Sequence, residues 1–394
     1  MKKLLSMGIC LILVIMLSGC TLSGSLYQDG KKSFLDGNYE DAAADFEQAI
    51  KANPNRADYY IDYGLTMTKL GRYEEALAEF DKAYVNKDII IANRNNKRMY
   101  RGKGITYYYM LDYIKAIEEF GNALKIRELP DLDQDILHYA GSALMIIGDY
   151  EEAVKTYTRL VDLDGKDDIA YDSRAFCYRI LGEYEKSLAD YDMAIKLKPN
   201  GYNHYFGKYS LLMEQGDTAV AAEVLTKASE IEIKTSEDQY NTAKLHYFQG
   251  DYETALAEFN DGFANGFQEA YYYIGEIYRI KKDYPKAIYY YETYMGAGKP
   301  ATSEVYNQIG TCLIKTGQYE EALNYLEQGI AYHQAGAIQT LKRNEIIAYE
   351  RLGKFDEADE KLADYISQYP KDETVLKESK FIESRLMTEE LPED

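Results

Sequence analysis

A short apolar phrase recurs along the chain from residue 25 onward. It reads Gly-x-Tyr followed by Ala three residues later, as in Gly37-Asn38-Tyr39 with Ala42 and Gly71-Arg72-Tyr73 with Ala76. Gly148-Asp149-Tyr150, Gly182-Glu183-Tyr184, Gly250-Asp251-Tyr252, Gly317-Gln318-Tyr319 and Gly353-Lys354-Phe355 repeat it. Leu111-Asp112-Tyr113 and Lys282-Asp283-Tyr284 lack the Gly, and Gly216-Asp217-Thr218 lacks the Tyr. Four residues after each Ala-type position stands an aromatic or Leu: Phe46, Phe80, Phe120, Tyr157, Tyr191, Leu225, Phe259, Tyr291, Leu326 and Leu362. Offsets of three and four residues mark one face of an α-helix. The Gly suits a left-handed helix end, the Tyr opens the next helix, and the Ala lets two helices approach closely.

The Tyr-type positions are separated by 34, 40, 37, 34, 34, 34, 32, 35 and 36 residues. A fixed period of this length predicts a solenoid of helix pairs rather than a two-domain enzyme. The longest interval falls at Val85–Lys97 and predicts either an extended helix or a surface loop. Pro54, Pro199 and Pro370 stand where a helix must stop.

With these residues in hand, the chain resembles the tetratricopeptide repeat (TPR) family. Seven residues before the turn Gly comes the family's small residue, here Gly30, Gly64, Gly104, Gly141, Ala175, Ala243, Gly275 and Gly310, while Tyr takes the place of the family's usual Trp. The resemblance implies an all-α fold, a right-handed α-solenoid (superhelix) of about ten helix-turn-helix units over residues 26–370. Residues 371–394 are expected to supply a capping helix and an acidic tail, because solenoids need a polar terminal face.

The N-terminus predicts a separate fate. Lys2 and Lys3 precede an apolar run from Leu4 to Leu17, too short to span a membrane comfortably, and Leu17-Ser18-Gly19-Cys20 closes it. This resembles the bacterial lipoprotein signal, which implies residues 1–19 as a cleaved leader, a lipid on Cys20, and 20–25 as a short tether. Such a tether spans roughly 17 Å or less. The expected location is the extracytoplasmic face of a bacterial membrane.

Composition narrows the function. The chain has 394 residues, 41 Tyr and no Trp, and a formal charge of −21, which would become −23 without Lys2 and Lys3. Such acidity argues against nucleic-acid binding, which needs a basic footprint. No phosphate-binding Gly loop, HExxH or GxSxG is present, and the four His, at 138, 204, 246 and 333, show no metal-ligand spacing. Cys177 and Cys312 read as small core residues. Catalysis, cofactors and metals are therefore not expected.

In the family the first helix of each unit lines a concave groove. Carried onto this sequence, the inward positions hold ten basic and nine acidic residues, near neutrality in an acidic chain, and ten aromatics. The residues expected to contact a partner protein or peptide are Arg98, Arg101, Tyr108, Tyr109, Arg179, Phe206, Tyr240, Lys244, Tyr247 and Arg279. Tyr and Arg together suit peptide binding. The densest basic run is Arg94, Lys97, Arg98, Arg101 and Lys103. It either takes a carboxylate of a partner or balances neighbouring acids. A Tyr-rich surface for glycans or small ligands is the competing expectation.

Overall fold

The computed structural model describes residues 22–264, 266–297, 302–332 and 335–389. The leader, Cys20 and His333 lie outside them. Among the described residues there are 21 α-helices and no strand. Helix α1 covers residues 22–35 and pairs with α2 (Tyr39–Ala52). The next pairs are α3 (Ala57–Lys69) with α4 (Tyr73–Ala83), α5 (Ile90–Tyr109) with α6 (Tyr113–Leu124), and α7 (Asp133–Ile147) with α8 (Tyr150–Leu163). Then come α9 (Asp168–Ile180) with α10 (Tyr184–Leu197), α11 (Tyr202–Glu214) with α12 (Thr218–Ala228), and α13 (Ser236–Gln249) with α14 (Tyr252–Ala264). The last pairs are α15 (Ala270–Ile280) with α16 (Tyr284–Gly296), α17 (Ser303–Thr316) with α18 (Tyr319–Ala331), and α19 (Ala335–Arg351) with α20 (Phe355–Gln368). A final helix, α21, runs Glu373–Glu389. The chain divides into two compact units: residues 1–145 with 149–170, and residues 146–148 with 171–394. Each is a stack of such pairs, an α-solenoid in architecture.

The phrase seen in the sequence is the packing code. The Ala-type residue of every pair, from Ala42 to Ala358 and including Ser187, is fully buried, and the aromatic or Leu four residues on is at most 2% exposed. Each small residue on a first helix faces that same large side chain. A Cβ added at Gly104 would meet the Phe120 ring at 2.5 Å, and one at Gly141 would meet Tyr157 at 2.6 Å. These sites have no room for a side chain, so the glycines set the distance between the two helices of a pair. In the fifth pair, Ser187 donates its hydroxyl hydrogen bond to the Ala175 carbonyl at 2.7 Å, which satisfies the polar group that replaces Ala.

The turn inside each pair needs a residue with positive φ. Glycines supply it in eight pairs, for instance Gly148 at 82°. In the two pairs without Gly, Leu111 and Lys282 adopt the same conformation at 65° and 61°. A left-handed L-residue costs about 1–2 kcal/mol. Lys282→Gly is therefore expected to stabilise the second unit by about 1 kcal/mol, after allowing for the greater backbone entropy that Gly loses. Chemical denaturation followed by circular dichroism measures it, with Val220→Gly, in the body of α12, shifting the midpoint the opposite way.

The long interval resolves into both expected forms. Residues 84–89 are non-helical, and α5 then runs for 20 residues. The side chain of Asn96 pins the connection by donating to the Val85 carbonyl at 2.9 Å and accepting from the Val85 amide at 3.1 Å.

Candidate functional site

First helices of successive pairs run side by side, so residues about one repeat apart meet. This decides the state of most of the basic residues singled out from the sequence. Arg98 on α5 binds Asp62 on α3 at 2.5 Å, and Asp62 also accepts from the Tyr27 hydroxyl at 2.5 Å. Arg101 binds Asp135 on α7 at 2.5 Å. Arg179 binds Glu214 and lies over the Phe176 ring, 5.1 Å from its centroid. Arg279 holds Glu276 through two bonds, at 3.1 and 2.7 Å, and Glu276 also accepts from the buried Tyr291 hydroxyl. Of the basic run in α5, Lys97 and Lys103 are ion-paired as well, to Asp133 at 2.7 Å and Asp81 at 2.5 Å, while Arg94 stays exposed. Four of the ten inward cations, Arg98, Arg101, Arg179 and Arg279, are thus held by carboxylates of the same chain. Asp62 was absent from the inward acids read from the sequence. The signal that finds it is the spacing, since 62 and 98 are one period apart.

The remaining aromatics of the first unit are also engaged. Tyr108 shares a hydrogen bond with the Ser142 hydroxyl at 2.8 Å and packs edge-on against Tyr109, Tyr113 and Tyr139. Tyr109 is exposed, with the Lys69 ammonium 5.8 Å from its ring. A cavity of about 160 Å³ beside Arg98 is lined by Lys31, Phe34, Leu35, Phe46, Asp62 and Leu65. That volume admits one side chain, well below the several hundred Å³ of a small-molecule site.

The second unit differs at Lys244. This residue, from α13, extends its ammonium among three rings: Phe206 of α11 at 4.7 Å from the centroid, Tyr273 of α15 at 5.7 Å, and Tyr240 one helical turn back at 5.9 Å. Its hydrogen bond is a long one, 3.5 Å to the carboxamide oxygen of Asn203. Tyr240 is held in place by parallel stacking on Phe267 (5.2 Å, 3°), and Tyr273 by stacking on Phe259 (5.2 Å, 11°). Tyr247 packs against Tyr252 and Tyr273. Phe206 is buried, so it forms the floor of the cluster rather than a contact surface of its own. Burial pushes the Lys244 amine down to about 8. The same burial pushes the Tyr240, Tyr247 and Tyr273 hydroxyls up, so they remain protonated donors. Three rings offer the ammonium cation–π attraction without neutralising it. The arrangement can receive an anion.

Of the ten expected contact residues, Phe206, Tyr240, Lys244 and Tyr247 form this one cluster. Arg98, Arg101, Tyr108 and Tyr109 belong to the other unit, and Arg179 and Arg279 are committed to Glu214 and Glu276. Asn203 and Tyr273 were missed. Tyr272, not Tyr273, holds the inward position read from the sequence, whereas α15 sets the Tyr273 ring against the Lys244 ammonium.

Three histidines each meet a carboxylate: His138 with Asp167 at 2.7 Å, His204 with Asp172 at 2.8 Å, and His246 with Glu258 at 2.7 Å. Among the described residues no three His, Cys, Asp or Glu are placed to hold a metal, and no helix is long and apolar enough to cross a membrane. Cys177 and Cys312 are free and buried, and burial pushes both thiols up to about 12.

Comparison with known proteins gives a consistent answer. Family models of the tetratricopeptide repeat match residues 36–88 and 140–202, 268–335, and 347–372. A TPR repeat-containing protein of Methanocaldococcus jannaschii is 26% identical over 316 residues, covering 74% of this chain and 54% of that protein. An Hsp70-Hsp90 organizing protein of Glycine max is 25% identical over 198 residues, covering 43% of this chain and 35% of that protein. The chain thus spans about half of the first relative and about a third of the second. A crystal structure of a tetratricopeptide repeat protein from Parabacteroides merdae is similar at a TM-score of 0.44 and 19% identity, covering 64% of this chain and 98% of that one. With the family models matching more than half of its length, and with every pair built on the same buried code, this chain belongs to the tetratricopeptide repeat family.

Proposed function

We propose that the protein is a lipid-anchored, extracytoplasmic scaffold that captures a partner protein through a carboxylate-bearing peptide segment seated over Lys244, without catalysis. The observation that carries the peptide site is the Lys244 ammonium, desolvated among Phe206, Tyr240 and Tyr273 with no carboxylate bonded to it, whereas Arg98, Arg101, Arg179 and Arg279 each hold an acid of the same chain. Lys244 is half-buried; a cation that loses part of its water without gaining a counter-ion is costly, and functional sites are where such cost is retained. The named role of the Glycine max relative, organizing two other proteins, supports a protein partner. The lipid anchor rests on Lys2, Lys3, the Leu4–Leu17 run and Leu17-Ser18-Gly19-Cys20.

A peptide array probed with the full chain tests the site. Peptides with acidic side chains or free C-termini should be retained over amidated and basic ones. Lys244→Ala should weaken that retention by about thirtyfold or more, the range for removing one partner of a buried charge pair. Equal retention by Lys244→Ala overturns the site. Persistence of the Cys20→Ala chain in the membrane fraction overturns the anchor.

A further inference from the structure

Helices α1, α3 and α5 of the first unit are parallel and nearly in register. Tyr59 of α3 donates to Ser23 of α1 at 3.5 Å, Tyr27 reaches Asp62, and Asp62 is bound by Arg98. Further along, Thr68 and Thr106 share a hydrogen bond at 2.7 Å. Their N-terminal ends therefore lie on one edge, and the chain enters that edge at residue 22. Residue 22 is level with about residue 94 of α5. Because α5 begins at Ile90, it overhangs this level by about 6 Å at 1.5 Å per residue.

The overhang is apolar and open. Ile89, Ile90 and Ile91 are 55%, 67% and 71% exposed, and Leu22, at the start of α1, is 57% exposed. Three consecutive exposed isoleucines are unusual on a surface that serves only water. They do not sit on a loose tip, because Asn96 fixes Val85 from both sides and Asn93 donates to Asp88 and Glu128, each at 3.0 Å. Through those bonds Asn93 holds the carboxylates of Asp88, which is exposed, and Glu128, which is half-buried. Lys87 and Arg94 stand at the two ends of this stretch and are exposed, with Asp88, its carboxylate bonded to Asn93, between Lys87 and Ile89. Apolar side chains bracketed by Lys and Arg are the composition of a segment that lies in a membrane interface.

We infer that this edge contacts the lipid bilayer, with Ile89, Ile90 and Ile91 inserted among the acyl chains and Lys87 and Arg94 at headgroup level. The inference rests on the anchored reading above. A lipid on Cys20, two residues before the start of α1, would join the chain at this same edge, so the anchor and the isoleucines would face the bilayer together. A second weak contact beside a lipid anchor converts reversible attachment into stable attachment and fixes orientation.

The chain has no Trp, so one substitution creates a unique reporter. The full-length protein carrying Ile90→Trp is extracted from membranes, its Cys20 acylation is read by mass spectrometry, and it is placed in phosphatidylcholine vesicles containing bromine on mid-chain carbons. Ile91→Trp serves as a second reporter, and Leu35→Trp, exposed at the opposite end of α1 in the same unit, as the control. Acylated protein whose Ile90→Trp emission shifts to the blue and is quenched by roughly half, with the Leu35→Trp emission unaffected, bears the proposal out. Acylated protein with unquenched emission at both reporters overturns the edge contact and leaves the anchor standing, as does equal quenching at Leu35→Trp. Membrane-extracted protein without lipid on Cys20 overturns both.

Discussion

Lys244→Met is expected to raise the stability of the second unit by about 2 kcal/mol at pH 7 while removing peptide capture. Burial among Phe206, Tyr240 and Tyr273 brings the Lys244 amine from 10.5 to about 8. The charged form is the one the fold disfavours. Its penalty, at most about 3 kcal/mol for such a shift, is therefore present in full below pH 8 and disappears as pH rises toward 10.5. Met fills a similar volume without charge and removes the penalty. Thermal unfolding at pH 7 should move up by about 5 °C, and the gap between wild type and variant should close near pH 10. A purely structural lysine would give the opposite sign, since its loss would destabilise the unit at every pH.

Capture should follow the same titration from the other side. A carboxylate bound beside Lys244 favours the ammonium, so binding needs the charged form. In the free protein that form falls from about nine-tenths at pH 7 to about one-tenth at pH 9, which predicts an affinity loss of about tenfold across that range. Lys244→Arg stays charged throughout, and any peptide it captures should be held equally at both values. Titration calorimetry with one acidic peptide at the two pH values reads this directly. A flat wild-type profile would place the ligand elsewhere.

Much of the fold was legible because each repeat carries the same steric problem. The Gly104–Phe120 contact is a distance that only Gly permits, and it recurs at Gly141–Tyr157 and Gly275–Tyr291. Even the exceptions follow, since Leu111 and Lys282 take up the left-handed turn where the Gly is missing. The site was less legible because position on a helix face says which side chains turn inward but not what already satisfies them. Arg98 and Lys244 are alike in that reading. They differ because Asp62 stands one period before Arg98, whereas Asn203 and Phe206 stand about one period before Lys244. Reading each inward residue against its counterpart one repeat away recovers this distinction. Exposure of Ile89–Ile91 could not be read at all, because the interval of 40 residues left open whether they were helix or loop.

Lys97→Met is expected to cost the first unit about 3 kcal/mol, the largest loss from any single side chain of the α5 basic run. Lys97 is the fully buried member of that run, with its ammonium 2.7 Å from Asp133 and donating to the Ile126 carbonyl at 2.9 Å. It thereby ties α5 to the segment that leads into α7. Removing the cation leaves Asp133, itself mostly buried, with only Arg159 at 3.6 Å. An uncompensated carboxylate in that position is disfavoured far more than the lost contact alone would suggest, because the partner's desolvation is no longer offset. The second substitution separates these two contributions. Asp133→Leu added to Lys97→Met removes the stranded charge, and the double variant should recover at least half of the loss. Denaturant unfolding of the four proteins gives the coupling energy. If the double variant is as unstable as the sum of the singles, Lys97 acts through packing of its methylene chain and the buried pair contributes nothing of its own. Arg94→Met, a few residues away on the same helix but exposed, should change stability by less than about 0.5 kcal/mol.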